Sequence, residues 1–267
     1  MRIITRGDFD GLVSTVLLTE VETIRDIKMV HPKDAQDGKV SADSGVIVVK
    51  LPYINGCGLW FDHHVSEEGK ISQGAFKGRF EVAPSCARVI CNHYAATHKA
   101  KFESYTELLE SCDKLDSAQL STQDVTAPAG WILLGLTLDP RTGLGPEFQK
   151  YFRWLAEYIK EVPLEKVMKH PEVQKRTERV LQEQQEHEAL LRTHTRADGN
   201  VIITDFRGLK SKPVGNRFLV FTQFPQANVE VRLFDGHQGK VVAAAGHSIF
   251  NRTCPVNVGT MLAEYGG

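Results

Sequence analysis

The sequence predicts an α/β fold in three parts: a domain with a mostly parallel sheet, a helical connector, and a smaller α/β domain with a mixed sheet. In the first half, short β-branched runs alternate with helix-period segments, the pattern of a parallel sheet covered by helices. A charged helix-period stretch follows, and a second set of short strand-like runs begins beyond residues 198–200. We therefore divide the chain into residues 1–145, 146–197 and 198–267.

Composition sets the class of protein. The 267 residues are 42% hydrophobic and 24% charged, which is ordinary for a soluble protein with ample core material. The formal net charge of -1 gives no argument for a nucleic-acid or membrane-surface partner. Five scattered cysteines without a Cys-x-x-Cys pair argue against a zinc site or a disulfide framework and predict a cytoplasmic protein. The N-terminus carries no apolar signal segment, and no apolar run is long enough to span a bilayer.

Each element of the first part is predicted from its own pattern. Residues 3–5 are an apolar strand, and residues 12–21 continue at helical spacing. The run 46–49 is β-branched throughout, as expected for a strand buried on both faces of a parallel sheet. Further strands are predicted at 27–30 and 59–61, and further helices at 84–94 and 105–112.

The second half is first helical and then strand-like. Pro146 and Pro163 stand where prolines open helices, and Pro171 should begin or kink one. Residues 172–192 are rich in Glu, Gln, Lys and Arg, which predicts a long solvated connecting helix. Strands are predicted at 201–203, 218–221, 229–233 and 241–245, and a closing helix at 258–265.

Two acidic residues follow the first strand. Asp8 and Asp10 stand at i, i+2 on a turn that continues with Gly11, at the edge where open α/β sheets bind ligands. Crowded carboxylates repel one another there and favour a divalent cation. An Asx-turn with a helix N-cap satisfies the same Asp-x-Asp-Gly pattern, and on this stretch alone the cap is the better interpretation.

Two later clusters change that balance. Asp62, His63 and His64 also follow a strand, and imidazole together with carboxylate suits Mn, Zn or Fe. Residues 112–117 end a helix; there Asp116 or Ser117 could cap the next segment, or Asp113 could complete a metal shell. Because two turns of one sheet edge carry metal-capable side chains, we favour a metal site over a simple cap.

These motifs, in this order, resemble those of the DHH phosphoesterases. They are Asp8-Phe9-Asp10-Gly11, Asp62-His63-His64 and Asp113. The chain is most similar to exopolyphosphatase-like members with a C-terminal DHHA1 domain, whose glycine-rich substrate segment resembles residues 246–252 and 256–267. The resemblance implies that 1–145 is a DHH-type catalytic domain, 146–197 a helical connector and 198–267 a DHHA1-like substrate-binding domain. The family pattern continues beyond Gly267, so we expect a truncated C-terminus or a missing phosphate contact.

The resemblance also implies roles for individual residues. Members of this family commonly bind two Mn ions, or Mg, through a shared bridging carboxylate. Carried over, Asp8 would serve the first ion, and Asp10, His63 and Asp113 the second. The implied catalytic residues are His64 and Arg6 at the substrate phosphate and Asp62, which would orient a ligand histidine. The implied substrate-binding residues are Arg252, Asn251, His247, Gly266 and Gly267.

Two positions depart from the family pattern. Arg6 stands where a histidine ligand is expected, and Lys50 or a neighbour stands where the bridging acid is expected. Their positive charges would partly replace a lost cation, so the sequence leaves the number of ions open. The ion assigned to Asp10 keeps three protein ligands and an open position, which is the pattern of a hydrolytic metal.

The implied function is metal-dependent hydrolysis of phosphoanhydride or phosphodiester bonds, with a metal-bound hydroxide attacking phosphorus in an interdomain cleft. Expected substrates are a phosphorylated small molecule, polyphosphate or a short oligonucleotide. The alternative is a degenerate family member that binds a phosphorylated ligand or nucleic acid without hydrolysis. A single-stranded nucleic-acid module is the weakest hypothesis because the net charge is near neutral. The charged helix could pair with its copy, so a homodimer stays open.

Overall fold

A computed structural model of the chain describes residues 1–70, 75–140 and 143–266. It contains two compact units. One unit comprises Met1–Gln119 with Ala129–Gln174, and the other comprises Leu120–Pro128 with the chain from Lys175 onward. The domain boundaries expected from the sequence, at 145 and 197, stay a prediction.

A five-stranded sheet forms the centre of the first unit. Its strands are β1 (Arg2–Thr5), β2 (Asp26–Met29), β3 (Val46–Val49), β4 (Leu59–Asp62) and β5 (Gly78–Phe80). Their order is β2-β1-β3-β4-β5, and every neighbouring pair is parallel. The predicted parallel sheet is therefore confirmed, and the carboxyl ends of β1, β3 and β4 meet at one edge.

Helices cover both faces of this sheet. The helices of the first unit are α1 (Phe9–Val21), α2 (Pro32–Gln36), α3 (Cys86–Glu103), α4 (Thr106–Asp116), α6 (Gly130–Leu136), α7 (Pro146–Glu161) and α8 (Leu164–Lys169). The short α5 (Thr122–Thr126) belongs to the second unit, and α9 (Pro171–His194) begins in the first unit and continues in the second from Lys175. Successive residues of β1 point to opposite faces of the sheet. On one face, Ile3 packs in a hydrophobic cluster with residues of α1, α3, α4 and α7. On the other face, Ile4 packs in a second cluster that contains Val48 and Trp60. α1 is buried along most of its length, which holds its first turn firmly against the sheet edge.

The second unit contains a four-stranded mixed sheet, as predicted. Its strands are β6 (Thr195–Asp198), β7 (Val201–Asp205), β8 (Val229–Asp235) and β9 (Val241–His247), in the order β6-β7-β8-β9. β7 and β8 are parallel, and the two outer pairs are antiparallel. Two further helices, α10 (Val220–Gln223) and α11 (Val258–Glu264), belong to this unit.

One predicted strand is wrong. Residues 218–221 fold as a turn that leads into α10, with Phe218, Leu219, Val220 and Phe221 all buried. A short apolar run buried on all sides has no periodicity that separates a strand from a helical turn. Among the described residues, no helix combines the length and apolar character needed to cross a membrane.

Candidate metal centre

The turn after β1 is both a helix cap and an acidic site. Asp8 is the N-cap of α1, and its Oδ1 accepts a hydrogen bond of 2.9 Å from the backbone N–H of Gly11. A Cβ at Gly11 would clash with the carbonyl oxygen of Arg6, so the tight turn requires glycine. The second oxygen of Asp8 faces two cationic side chains: it lies 3.1 Å from Nε of Arg6 and accepts a hydrogen bond from Nζ of Lys50. The two interpretations of the Asp-x-Asp-Gly pattern are therefore compatible.

Asp10 is held by the N-terminus of another helix. Its carboxylate is 2% exposed and accepts hydrogen bonds from the backbone N–H groups of Cys86 (3.0 Å) and Ala87 (2.9 Å) at the start of α3. Backbone N–H groups and the helix dipole both stabilise a carboxylate at this position. Asp10 is thereby held in place at the sheet edge, with lone pairs left for a cation.

Lys50 supplies a buried positive charge to these acids. It follows β3 with a left-handed backbone (φ 54°) and is 2% exposed. Its Nζ lies 2.9 Å from Asp8 Oδ2 and 3.3 Å from Asp10 Oδ2, and it donates a hydrogen bond to Asp116 Oδ1. Burial alone would lower the pKa of Lys50, but the charges of Asp8, Asp116 and Asp10 raise this pKa well above its usual value. The ammonium therefore stays charged. It contacts carboxylate oxygens of Asp8, Asp10 and Asp116 that a second metal ion would need as ligands.

His63 presents a buried nitrogen to two of these acids. Its Nδ1 lies 3.0 Å from the carbonyl oxygen of Ala83, so in the neutral ring Nδ1–H donates there and Nε2 carries the lone pair. Nε2 lies 3.1 Å from Asp116 Oδ2 and 3.7 Å from Asp10 Oδ2, yet makes no hydrogen bond of acceptable geometry within the described part of the chain. Burial lowers the pKa of His63, but the carboxylates of Asp116 and Asp10 outweigh it and raise this pKa to about 9.

Asp10, His63 and Asp116 fit one divalent ion. One potential ligand atom from each lies within 4.8 Å of the others. Two carboxylates and an imidazole form a donor set that suits Mn, Zn or Fe better than Mg. The buried Nε2 of His63 faces the two acids and has no hydrogen-bond partner among the described residues, so loss of its proton would free a lone pair for a metal ion. The geometry thus supports one ion beside the fixed ammonium of Lys50.

Asp62 contacts the other histidine of the pair. Its Oδ1 lies 2.7 Å from Nδ1 of His64, while its Oδ2 is buried without a hydrogen bond among the described residues. Asp62 is fully buried, whereas the side chain of His64 is 39% exposed. The sequence predicted that Asp62 orients a ligand histidine; in the structure its hydrogen-bonding distance is to His64.

The structure brings Asp116 into the cluster and gives Asp113 other partners. The Asp113 carboxylate accepts hydrogen bonds from Nε of Arg88 (2.9 Å) and Oγ of Ser85 (2.6 Å). Asp116 lies one turn further along α4 and reaches Lys50 and His63. The sequence predicted Asp113 as the ligand and treated Asp116 as a possible cap. Residues at i and i+3 lie on the same side of a helix, so the spacing alone does not tell which of the two carboxylates reaches the site.

The second unit holds the remaining predicted site residues. Nε2 of His247 lies 2.8 Å from the carbonyl oxygen of Val256, Asn251 donates to the carbonyl oxygen of Gln226 (2.8 Å), and Nε of Arg252 donates to that of Ile249 (3.1 Å). Gly266 follows α11 with a positive φ of 80°. Gly267 lies outside the described residues. The substrate-binding roles of these five residues stay predictions.

The fold and the site define a class. A parallel sheet whose edge carries Asp8, Asp10, Asp62, His63 and His64, joined to a unit with a mixed sheet, is the architecture of a DHH/DHHA1-type phosphoesterase. No protein-family model and no curated protein matches the chain.

A solved structure gives the closer comparison. The pGpG-specific phosphodiesterase PggH from Vibrio cholerae aligns with 34% sequence identity and a TM-score of 0.84, covering 100% of this chain and 89% of that chain. The chain therefore belongs to the DHH/DHHA1-type phosphoesterase family of that enzyme. An uncharacterized protein from Helicobacter pylori G27 aligns over 98% of this chain and 88% of its own at 12% identity, with a TM-score of 0.41 that supports no argument.

Proposed function

We propose that this protein is a divalent-metal-dependent phosphodiesterase that cleaves short linear dinucleotides of the pGpG kind. The observation that carries the proposal is the constellation of Asp10, His63 and Asp116 beside Lys50. It occurs in a chain with full-length similarity, at 34% identity, to a phosphodiesterase with that substrate. Mn is the ion we favour, because one ligand is an imidazole.

The chemistry is transfer of a phosphoryl group to water. Water attacks phosphorus in line, the bond from phosphorus to the 3′ oxygen breaks, and this leaving oxygen takes up a proton. The products are two nucleoside 5′-monophosphates. A divalent ion held by Asp10, His63 and Asp116 would supply Lewis-acid activation of the phosphoryl group and of the attacking water.

The residues around the ion position have separate tasks. The ammonium of Lys50 lies beside Asp8, Asp10 and Asp116 and offsets the repulsion among their carboxylates, so the ligands are already gathered for a cation. Asp62 accepts the hydrogen bond of Nδ1–H and thereby aims Nε2 of His64 at the substrate phosphate. Arg6, which is partly exposed beside Asp8, adds a positive charge for the non-bridging oxygens. Arg252, Asn251, His247, Gly266 and Gly267 are proposed to bind the rest of the substrate.

A substrate panel tests this proposal. With Mn, we expect release of monophosphates from pGpG, at a kcat/KM at least about tenfold above that for the same dinucleotide without its 5′-phosphate. Exopolyphosphatase-like hydrolysis of polyphosphate, the competing assignment from the sequence, is measured in parallel. A preference for polyphosphate would replace the proposed substrate. Tight binding of pGpG without turnover in any divalent ion would instead show a degenerate family member that only binds its ligand.

Metal affinity should depend on pH through His63. Because the pKa of His63 is raised to about 9 in the metal-free protein, one proton must leave its ring before Nε2 can bind an ion at lower pH. We expect the Mn dissociation constant to fall by up to about tenfold per pH unit from neutral pH and to level off above pH 9. Calorimetric titration in buffers of different ionisation enthalpy measures both the affinity and the released proton.

His64→Gln and His63→Gln are the matched variants for this measurement. His64→Gln keeps the proposed ligands and should keep the slope. His63→Gln should lose the slope together with most of the affinity. A pH-independent affinity in the natural protein would contradict the assignment of His63 as a ligand.

A further inference from the structure

One short segment of the first unit contacts two of the three proposed metal ligands. Residues 83–88 lead from β5 into α3, and we call them the 83–88 segment. The carbonyl oxygen of Ala83 accepts the hydrogen bond of His63 Nδ1–H (3.0 Å). The first two residues of α3 donate their backbone N–H groups to the Asp10 carboxylate (3.0 and 2.9 Å). The position of this segment therefore sets where both ligands stand.

The segment is also attached to the strand that carries His63. The thiol of Cys86 donates to the carbonyl oxygen of Phe61 on β4 (3.2 Å), and both residues are fully buried. Phe61 lies two residues before His63 in the chain. The 83–88 segment thus holds this histidine twice, through its ring and through the backbone of the strand before it.

Ser85 connects the segment to the helix of the third ligand. It is fully buried and is the N-cap of α3, where its Oγ accepts a hydrogen bond from the backbone N–H of Arg88 (3.0 Å). The same hydroxyl donates to Oδ1 of Asp113 on α4 (2.6 Å). α4 also carries Asp116, one turn beyond Asp113. A single hydroxyl therefore caps α3 and ties its start to the helix that supplies the third ligand.

Arg88 holds the other oxygen of Asp113. Its Nε donates to Asp113 Oδ2 (2.9 Å), and its Nη2 contacts the same oxygen. One carboxylate oxygen thus accepts from the serine hydroxyl and the other from the guanidinium, and both donors belong to the 83–88 segment. Charge-assisted hydrogen bonds of this kind are among the strong ones. The contacts of Asp113 therefore join α4 to the start of α3.

We propose that Ser85, Arg88 and Asp113 are positioning residues that fix the spacing of the three metal ligands and thereby set the affinity for the ion. The inference rests on the ion site of the proposed function. α1, the end of β4 and α4 each supply one ligand, and each is bonded to the 83–88 segment. Loss of a group that orients a metal ligand costs about 10- to 100-fold in metal affinity. These three side chains act one step further out, through the start of α3, so we expect the lower end of that range.

Calorimetric titration of the metal-free protein with Mn tests the proposal. Ser85→Ala keeps all three ligands but loses both the cap and the bond to Asp113, so the Mn dissociation constant should rise about tenfold. Arg88→Ala alters a partly exposed side chain and keeps the serine hydroxyl, so it should fold and raise the constant by a smaller factor. At saturating Mn both variants should regain most of the natural kcat, because the ligands themselves are unchanged.

Ser121→Ala is the matched control. Ser121 is the N-cap of α5 in the second unit, and its Oγ accepts a hydrogen bond from the backbone N–H of Asp124 (3.1 Å). This variant loses a helix cap of the same kind and should leave the Mn dissociation constant unchanged. An equal rise in Ser121→Ala and Ser85→Ala would overturn the proposal, because it shows a general loss of stability.

Two further outcomes separate this inference from the proposed function. A natural protein that binds Mn, with the same affinity in Arg88→Ala and Ser85→Ala, overturns the inference and leaves the proposed ion site intact. Should Ser85→Ala not fold, unchanged affinity in Arg88→Ala alone has the same meaning. A natural protein that binds no divalent ion overturns the proposed function, and the inference with it.

Discussion

Replacing Lys50 with alanine is expected to lower the free energy of unfolding of the metal-free protein by about 3–5 kcal/mol. The change removes a buried ammonium that contacts Asp8, Asp10 and Asp116 and leaves more of their charge uncompensated in a buried site. Losing one partner of a buried ionic cluster costs more than losing a surface pair, because the remaining charges stay desolvated. Denaturant unfolding in the presence of a chelator measures the difference.

Divalent cations should reverse this loss. In Lys50→Ala, Mn has access to carboxylate oxygens that the ammonium otherwise occupies, so Mn should raise the thermal midpoint more than in the natural protein. Lys33→Ala is the control, since Lys33 on α2 pairs at the surface with Asp37, the residue after that helix, and such a pair should contribute nothing measurable. An unaltered stability of Lys50→Ala without metal would show that the three acids are not held together by this lysine.

Asp10→Asn should reduce turnover of pGpG by about 10³-fold or more. An ion that stabilises the transition state by several kcal/mol is worth roughly that factor, at about 1.36 kcal/mol per tenfold change. Asparagine has nearly the same shape and can still accept one hydrogen bond from the start of α3, so the fold should survive. Steady-state kinetics and Mn titration should show turnover and metal binding lost together.

Asp116→Asn and Asp113→Asn form a matched pair on the same helix. Asp116→Asn should weaken Mn binding by about 10- to 100-fold or more. Mutation of a residue that only hydrogen-bonds to a metal ligand already costs about that much affinity. Asp113→Asn should lower turnover by less, because its carboxylate is bonded to Arg88 and Ser85. The opposite ranking would restore Asp113 as the ligand expected from the sequence.

Local patterns were enough to predict most of the sheet that carries the site. Residues 46–49 are β-branched throughout, and such a run has few alternatives to a buried parallel strand. The turns after β1 and β4 were predicted for a similar reason, since polar metal-capable side chains directly follow short apolar runs. The fold class is confirmed on these grounds.

What could not be predicted depends on contacts between distant residues. The side chain of α4 that reaches His63 is set by how the helix is rotated against the sheet, so Asp116 could not be separated from Asp113. The contact of Lys50 with three acids likewise requires β1, β3 and α4 to meet. The run at 218–221 was misassigned because its burial is a property of the whole second unit.

The buried ammonium of Lys50 also bears on how the protein responds to a shortage of metal. A cation that is part of the polypeptide is made with the chain and cannot be chelated or exchanged for another element. The acidic turn can therefore fold in metal-poor surroundings with much of its repulsion already neutralised. Only one ion then has to be captured from solution, so scarcity of the metal should limit catalysis long before it threatens the integrity of the protein.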